Sequence, residues 1–416
     1  MRPKHSLAKT KSSFVSRIVL HDQLSKIMTT KAIDDEFLFY NVGASFIWED
    51  ANGKIKKPLS RIVFSKDYPT CHDVNPVTRS NHQLDVMIGF SSGDFVWCDP
   101  VGNKYCRINK GGIMNDSSVT MLKWVPGSED RWMASFNDGS ILLLDKDRDD
   151  QNFVGPSYHE EQGFHASKFH KNSRHNPVSH WRVSDKSITA FAFSPNGMHV
   201  ATVGYDGILR IIEFKTERLQ DVFGGYYGRL QCVAWSPDGK YILTGGQDDL
   251  VTIWSFVEKR IIARCQGHRS WVTAVAFDPW RCDDKVYRFG SVGEDCRLLL
   301  WDFSFGALHR PKQGRIPVQR NPFCTVPSTV FTRAWDCDYH SDDCSDEHQR
   351  TCDDDRTCDS VTNPTVHPVL TKTQVSVLQP VCSQKIHADP CVDLHFGKST
   401  VVTSDRRGCV RTWGRP

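Results

Sequence analysis

Residues 229–256 read RLQCVAWSPDGKYILTGGQDDLVTIWSF, and the chain repeats that plan on both sides of it. Upstream lies SITAFAFSPNGMHVATVGYDGILRIIEF at 187–214. Downstream lies WVTAVAFDPW at 271–280, continued after a polar insert by YRFGSVGEDCRLLLWDF at 287–303. The aromatic-x-Pro steps Phe193-Ser194-Pro195, Trp235-Ser236-Pro237 and Phe277-Asp278-Pro279 are spaced 42 residues apart. A register held through three copies marks a repeat, so the Trp, Thr and Asp residues inside each copy must first be weighed as architecture.

A period of about 42 residues is that of a four-stranded propeller blade. A closed repeat fold also accommodates 416 residues in one domain, because each unit contacts only its neighbours. Short β-rich runs broken by Gly, Asn and Asp recur throughout, with no long amphipathic-helix pattern, so the chain reads as all-β. The net charge of +3 and pI near 8.1 give no broad footprint for nucleic acid, and basic residues cluster only in the first dozen positions. The fifteen Cys form no CxxC pair, and the N-terminal MRPKHSLAKTKSSF lacks the apolar core of a signal peptide. No apolar run approaches the roughly 20 residues that cross a bilayer. The expectation is free thiols, no membrane, no nucleic acid, no cofactor, and a cytoplasmic and nuclear location.

Counting units gives a seven-bladed β-propeller. Blade 1 takes FLFYNVGASFIWED (37–50) and KPLSRIVF, blade 2 includes LDVMIGFSSGDFVWCD (84–99), and blade 3 is VTMLKWVPGSEDRWMASFNDGSILLLD (119–145). The three regular copies are blades 4 to 6, and CVDLHFGKSTVVTSDRRGCVRTW (391–413) supplies three strands of blade 7. SFVSRIVL (13–20) is the simplest fourth strand for that last blade, closing the ring and removing its free edge. The expected organisation is a flexible 1–12, blades 1–6 over 13–303 with a polar loop insert at 146–180, a disordered acidic insert at 304–370, and blade 7 with the closure at 371–416.

In the sixth copy Gly267-His268 precedes Trp301-Asp302, with Ser291 and Asp295 between, which is the spacing of the WD40 structural tetrad. Asp295 can accept a hydrogen bond from His268, and Ser291 can bridge His268 and the Trp301 indole. A Ser-His-Asp hydrolase would need an exposed nucleophile and an oxyanion hole, and the chain has no G-x-S-x-G elbow. Blade 5 repeats the spacing with Thr244, Asp248 and Trp254 but has FGGYYG where the Gly-His loop would be. Blade 4 keeps Thr202 and Asp206 with Ile212 in place of Trp. No catalytic or metal-binding residue is expected. Cys337, His340, Cys344, Cys352 and Cys358 lack the short paired spacing of zinc sites, and His165, His170, His175 and His180, five residues apart, match neither a strand nor a helix face.

The residues that look functional stand just before the first strands of two adjacent blades: Tyr226, Tyr227 and Arg229 before blade 5, Arg269 and Trp271 before blade 6. Such loops open on one rim, and Tyr, Trp and Arg are the residue types that dominate interface energetics. A partner-binding site is expected there.

The stretches PTCHDVN (69–75), LKWVPGSE (122–129), WSPDGKYILTGGQDDLVTIWSFVEKRIIARCQGHRSWVTAVAFDPW (235–280), YRFGSVGED (287–295) and the terminal TWGRP go beyond any blade consensus. They resemble the WD repeat-containing protein 20 family, and the resemblance covers most of the chain outside the two inserts. It implies a WD40 propeller without catalysis of its own, which binds and stimulates a ubiquitin-specific protease of the 12 and 46 type alongside a second WD-repeat subunit. It also implies that Tyr227 and Trp271 fall where the family's aromatic contacts lie. The chain departs from that pattern in carrying Tyr227 where relatives carry Phe and in an insert that is acidic and Cys-rich where theirs is Ser-rich. Competing readings are a substrate receptor for a cullin-type ubiquitin ligase, an enzyme built around the central channel, and a peptide or RNA reader on the same rim. Trp301-Asp302-Phe303-Ser304 lacks the Arg of the usual ligase-docking motif, which counts against the first.

Overall fold

A computed structural model describes residues 5–6, 14–30, 36–51, 55, 57–80, 82–102, 104–155, 163–169, 173–309 and 364–415. Seven sheets, built mainly of antiparallel strands consecutive in the chain, are arranged as the blades of a β-propeller, and an eighth is the two-stranded parallel pair Asp149–Asp150 with His175–Asn176. Among the described residues no helix is long and apolar enough to cross a membrane. In blade 5 the strands are Leu230–Trp235, Tyr241–Gly246, Leu250–Ser255 and Arg260–Gln266, and the two middle ones are buried along their whole length. A middle strand lies between two neighbouring blades, so both of its faces need apolar residues, and YILTGG and LVTIWS read as continuous apolar runs for that reason. The Ser-Pro-Asn/Asp-Gly step makes the first turn of blades 4 and 5. Ser236 Oγ donates to Asp238 Oδ1 at 2.7 Å, and Gly239, at φ +74°, donates its N–H to Ser236 O.

Two devices bring successive blades together. In blades 2, 5 and 6 the second strand carries a glycine where the next blade's first strand crosses: a Cβ on Gly89, Gly245 or Gly290 would lie 2.8, 2.5 or 2.8 Å from Val119, Val272 or Leu394. Each first strand from blade 2 to blade 7 is also bulged near its start, as at Ile188/Ala190 and Val272/Ala274. The bulge turns a side chain toward the next blade. Thr189 Oγ1 donates to Leu230 O at 2.7 Å and Thr273 Oγ1 to Cys391 O at 2.8 Å.

The closure differs from the sequence expectation. Val15–Leu20 pairs with Ser60–Phe64 as the outer strand of blade 1, and blade 7 has three strands among the described residues, Cys391–Phe396, Thr400–Asp405 and Val410–Gly414. The reason is packing. Phe14 enters the seam between blades 1 and 2, with ring centroids 5.7 Å from Phe64 and 5.0 Å from Phe90, and the Arg107 guanidinium covers its face at 4.0 Å. Blade 7 instead meets blade 1 through its turns, where a Cβ on Gly408 would strike Val42.

Both inserts contribute more structure than expected. From 146–180 and just beyond, Ser179–Arg182 and His165–Ser167 form the outer strands of blade 3. His180 is buried there, and burial lowers its pKa to about 4. His165 and His175 also sit in strands, while His170 lies outside the described residues. After the second insert the chain forms a strap. Thr365–His367 pairs parallel with the outer strand of blade 4 and Ser376–Leu378 with that of blade 5, and Cys382–Lys385 then completes blade 6. Blade 7 therefore starts at Cys391 rather than 371. The acidic stretch with Cys337, His340, Cys344, Cys352 and Cys358 lies outside the described residues.

Candidate functional site

The polar groups that resemble a hydrolase triad are buried between blades. In blade 6, Trp301 Nε1 donates to Ser291 Oγ at 2.9 Å, Ser291 Oγ lies 2.8 Å from His268 Nε2, and His268 Nδ1 lies 3.0 Å from Asp295 Oδ2. One tautomer satisfies every member: Ser291 donates to Nε2, and Nδ1–H donates to the carboxylate. Burial alone would push the Asp295 carboxyl up, but the hydrogen bond from His268 and the N–H groups of Arg269 and Arg297 hold it below the usual range. Ser291 is fully buried, so no substrate reaches its hydroxyl.

Blade 5 has half of this network. Trp254 Nε1 donates to Thr244 Oγ1 at 2.9 Å, but no imidazole meets Asp248, whose carboxyl is raised by burial to about 6. In blade 4 Asp206 receives Ser184 Oγ at 2.7 Å and pairs with Arg210 instead of a histidine, and the Thr202 hydroxyl has no partner among the described residues. A second full network, which sequence reading missed, lies in blade 7. His387 bridges Asp405 at 3.0 Å and Thr403 at 2.9 Å, and Trp413 Nε1 donates to Thr403 at 2.9 Å. The signal was the ten-residue step from Thr403 to Trp413, shared with Ser291–Trp301 and Thr244–Trp254. It was hidden because Asp405 comes two residues after the hydroxyl rather than four. Ligand atoms of His387, Asp405 and Cys409 lie within 4.8 Å of one another, but both ring nitrogens of His387 are committed to this network.

The rim is built at equivalent positions of successive blades. In blades 4, 5 and 6 the residue before the first strand accepts, at its carbonyl, the N–H of a residue in the turn between the second and third strands. The pairs are Ser187 with Tyr205, Arg229 with Gln247, and Trp271 with Glu294, at 2.9, 3.0 and 2.9 Å. The side chains at these fixed points meet each other. The Arg229 guanidinium lies over the Tyr205 ring at 4.4 Å and over the Trp271 ring at 5.1 Å. Tyr226 is 38 % exposed and stacks on Arg264, whose guanidinium is 4.4 Å from the ring centroid and donates to Leu370 O of the strap at 2.7 Å. Tyr227 projects from the loop at 73 % exposure. Arg269 is exposed, and its backbone N–H is tied to Asp295 at 3.0 Å. The five predicted residues therefore share one rim, with Arg229 and Trp271 in direct contact. Tyr205 and Arg264 join them. Tyr205 was legible in principle, because it stands one 42-residue period before Gln247.

Among the described residues, titratable side chains on the first strands of blades 2 and 3 are already paired. Lys123 pairs with Asp73 at 3.1 Å, and His72 is held by Asn41 Oδ1 and Phe39 O at 3.1 and 3.0 Å. Burial pushes the Cys71, Cys232 and Cys391 thiols up to about 12, the opposite of what a nucleophile needs. Asp302, of the Trp-Asp pair, is bound in bidentate fashion by Arg288 at 2.7 and 2.6 Å.

Comparison with known proteins agrees with the fold. The family model described as WD domain, G-beta repeat matches residues 175–213, 217–255 and 259–302, each of which takes in the outer strand of one blade and the first three strands of the next, in blades 4 to 6. The chain is also similar to a curated Schizosaccharomyces pombe protein named UBP9-binding protein bun62, with 37 % identity over 419 aligned residues that cover 97 % of this chain and 75 % of the relative.

Proposed function

The chain belongs to the WD repeat-containing protein 20 family of WD40 propellers, and from that premise we propose that it is a non-catalytic subunit that binds a ubiquitin-specific protease of the 12 and 46 type and stimulates it, together with a second WD-repeat subunit. The observation that carries this reading is the rim of two adjacent blades, where Tyr226, Tyr227 and Arg269 are exposed and the half-buried Arg229 and Trp271 are fixed by backbone hydrogen bonds, on a propeller whose relative is named a UBP9-binding protein. Exposed aromatics on a rigid loop lose little entropy on docking, and truncating one at the centre of an interface typically costs about 2 kcal/mol or more. Stimulation without chemistry requires the propeller to bind the active conformation of the protease better than the inactive one, and a tenfold shift needs about 1.4 kcal/mol of differential affinity. The cytoplasm and nucleus are the proposed compartments, with no role for nucleic acid.

The test is the affinity of the purified protein for the protease, compared with that of a Trp271→Ala variant of unchanged melting temperature. A loss of about thirtyfold or more is expected. Equal affinity of the two proteins would move the docking site elsewhere.

A further inference from the structure

Several arginines near the rim carry a counter-charge, and Arg229 does not. Arg406 pairs with Glu294 at 2.7 Å, Arg407 with Asp389 at 3.0 Å and Arg182 with Asp138 at 3.2 Å. Among the described residues neither Arg229 nor Arg269 has an ion-pair partner, and the Arg229 guanidinium makes no hydrogen bond although its Nε is buried. The group is nonetheless held in place. Tyr205, 47 % exposed, covers it from blade 4 at 4.4 Å and Trp271 from blade 6 at 5.1 Å, while its backbone is fixed on both sides of the peptide, N–H to Gln247 Oε1 at 3.3 Å and carbonyl to Gln247 N–H at 3.0 Å.

Stacking uses the faces of the guanidinium plane and leaves its edge, which carries the N–H donors, for another ligand. A planar fork of donors whose rotamer freedom is already spent suits a carboxylate, which accepts two parallel charge-assisted hydrogen bonds. Arg269, two residues before Trp271, adds a second unneutralised cation to the same edge of the molecule. The aromatic rings beside these charges exclude water from the contact once a partner covers them, which strengthens the pairing.

We propose that this rim receives a carboxylate-bearing loop of the protease, with Arg229 and Arg269 as its anchors, and that Tyr205 on blade 4 is part of the docking surface because it and Trp271 hold the Arg229 guanidinium ready. The inference rests on the protease-binding reading above and names the chemistry of its contact. Docking then extends over three blades rather than two, and encounter is electrostatically steered, so affinity falls with ionic strength.

The experiment measures the dissociation constant for the ubiquitin-specific protease at about 50 and about 500 mM NaCl, for the unmodified protein and for Arg229→Gln, Arg229→Lys, Arg269→Gln, Tyr205→Leu and Trp271→Ala, each first shown to melt like wild type. Wild-type affinity is expected to fall about tenfold or more between the two salt concentrations. Arg229→Gln should lose about tenfold at low salt and show a flatter salt response, as should Arg269→Gln to a lesser degree. Arg229→Lys and Tyr205→Leu keep the charge at position 229 but not the stacked fork, so both should weaken binding while keeping the salt response. If Trp271→Ala loses binding while Arg229→Gln binds like wild type and salt has no effect, the carboxylate proposal is overturned and the docking reading stands. Wild-type affinity for Arg229→Lys and Tyr205→Leu overturns the positioning role of Tyr205. No binding by the unmodified protein overturns both readings.

Discussion

Blades 5 and 6 place a carboxylate at the same point of the same turn and surround it differently, so the same substitution should act with opposite sign in the two. Asp295 is met by His268 Nδ1 at 3.0 Å and by the N–H groups of Arg269 and Arg297 at 3.0 and 3.2 Å. Asp248 has the Leu250 N–H at 3.2 Å, and burial raises its carboxyl from the usual 3.8 to about 6 despite the nearby Arg264. A group whose folded pKa is raised binds more protons in the native state. Its stabilising neutral form is fully present below about pH 4 and is lost as pH rises through about 6, leaving an ionised carboxylate that costs roughly 1.4 kcal/mol for every tenfold weakening of its acidity. The rise from 3.8 to about 6 would give about 3 kcal/mol, and the side chain's residual exposure reduces this to roughly 1–3 kcal/mol. Asn keeps the oxygen that accepts from Leu250 and removes the charge. Asp248→Asn should therefore stabilise the protein by about that much near pH 7.5, with the gain fading to nothing near pH 4, whereas Asp295→Asn should destabilise at neutral pH. The depressed pKa of Asp295 makes its contribution one that is present above the usual carboxylate pKa and lost on acidification. Denaturant midpoints of the three proteins, followed from about pH 7.5 to about pH 4.5, measure both effects. An Asp248→Asn variant as unstable at neutral pH as Asp295→Asn, or a gain that does not change with pH, would refute the reasoning.

Two further substitutions probe the buried networks. Trp301 is fully buried and stacked on Phe289 at 5.9 Å, so Trp301→Ala should cost about 3–5 kcal/mol and lower the yield of folded protein; a soluble variant with an unchanged melting temperature would contradict that. Thr403→Val strands both Trp413 Nε1 and His387 Nε2 and should cost about 1–3 kcal/mol in thermal or denaturant unfolding, while Thr403→Ser, which keeps the hydroxyl, should recover most of the loss.

The fold was legible wherever one residue type had one physical job. The aromatic-x-Pro step recurs in all three regular blades, the Asn-Gly and Asp-Gly turns in blades 4 and 5 and the ten-residue hydroxyl-to-Trp spacing in blades 5 and 6, so blades 4 to 6 could be read from the sequence directly. The closure was not legible, because SFVSRIVL offers equally good strand residues to blade 7 and blade 1. What decides is Phe14, whose place between Phe64 and Phe90 depends on three segments distant in sequence. The strap failed for a related reason. Thr365–His367 and Ser376–Leu378 are too short to signal strands alone, and they are held by contacts such as His367 stacked on Phe223 at 4.2 Å and bonded to Asp221 at 2.9 Å. On the rim, periodicity located the loops and residue chemistry singled out Tyr226, Tyr227, Arg229, Arg269 and Trp271. Tyr205 was missed because it belongs to a turn rather than to those loops, and its link to Arg229 exists only across a blade boundary.

The most direct test of the central claim is hydrolysis of ubiquitin-rhodamine by the cognate ubiquitin-specific protease, with and without this protein, comparing wild type with a folded Trp271→Ala variant. Stimulation by the wild type that the variant loses is the expected result, and it would place a protease-activating surface on the rim of blades 4 to 6. An unchanged rate, with no complex formed between the protease and the wild-type propeller, would contradict it.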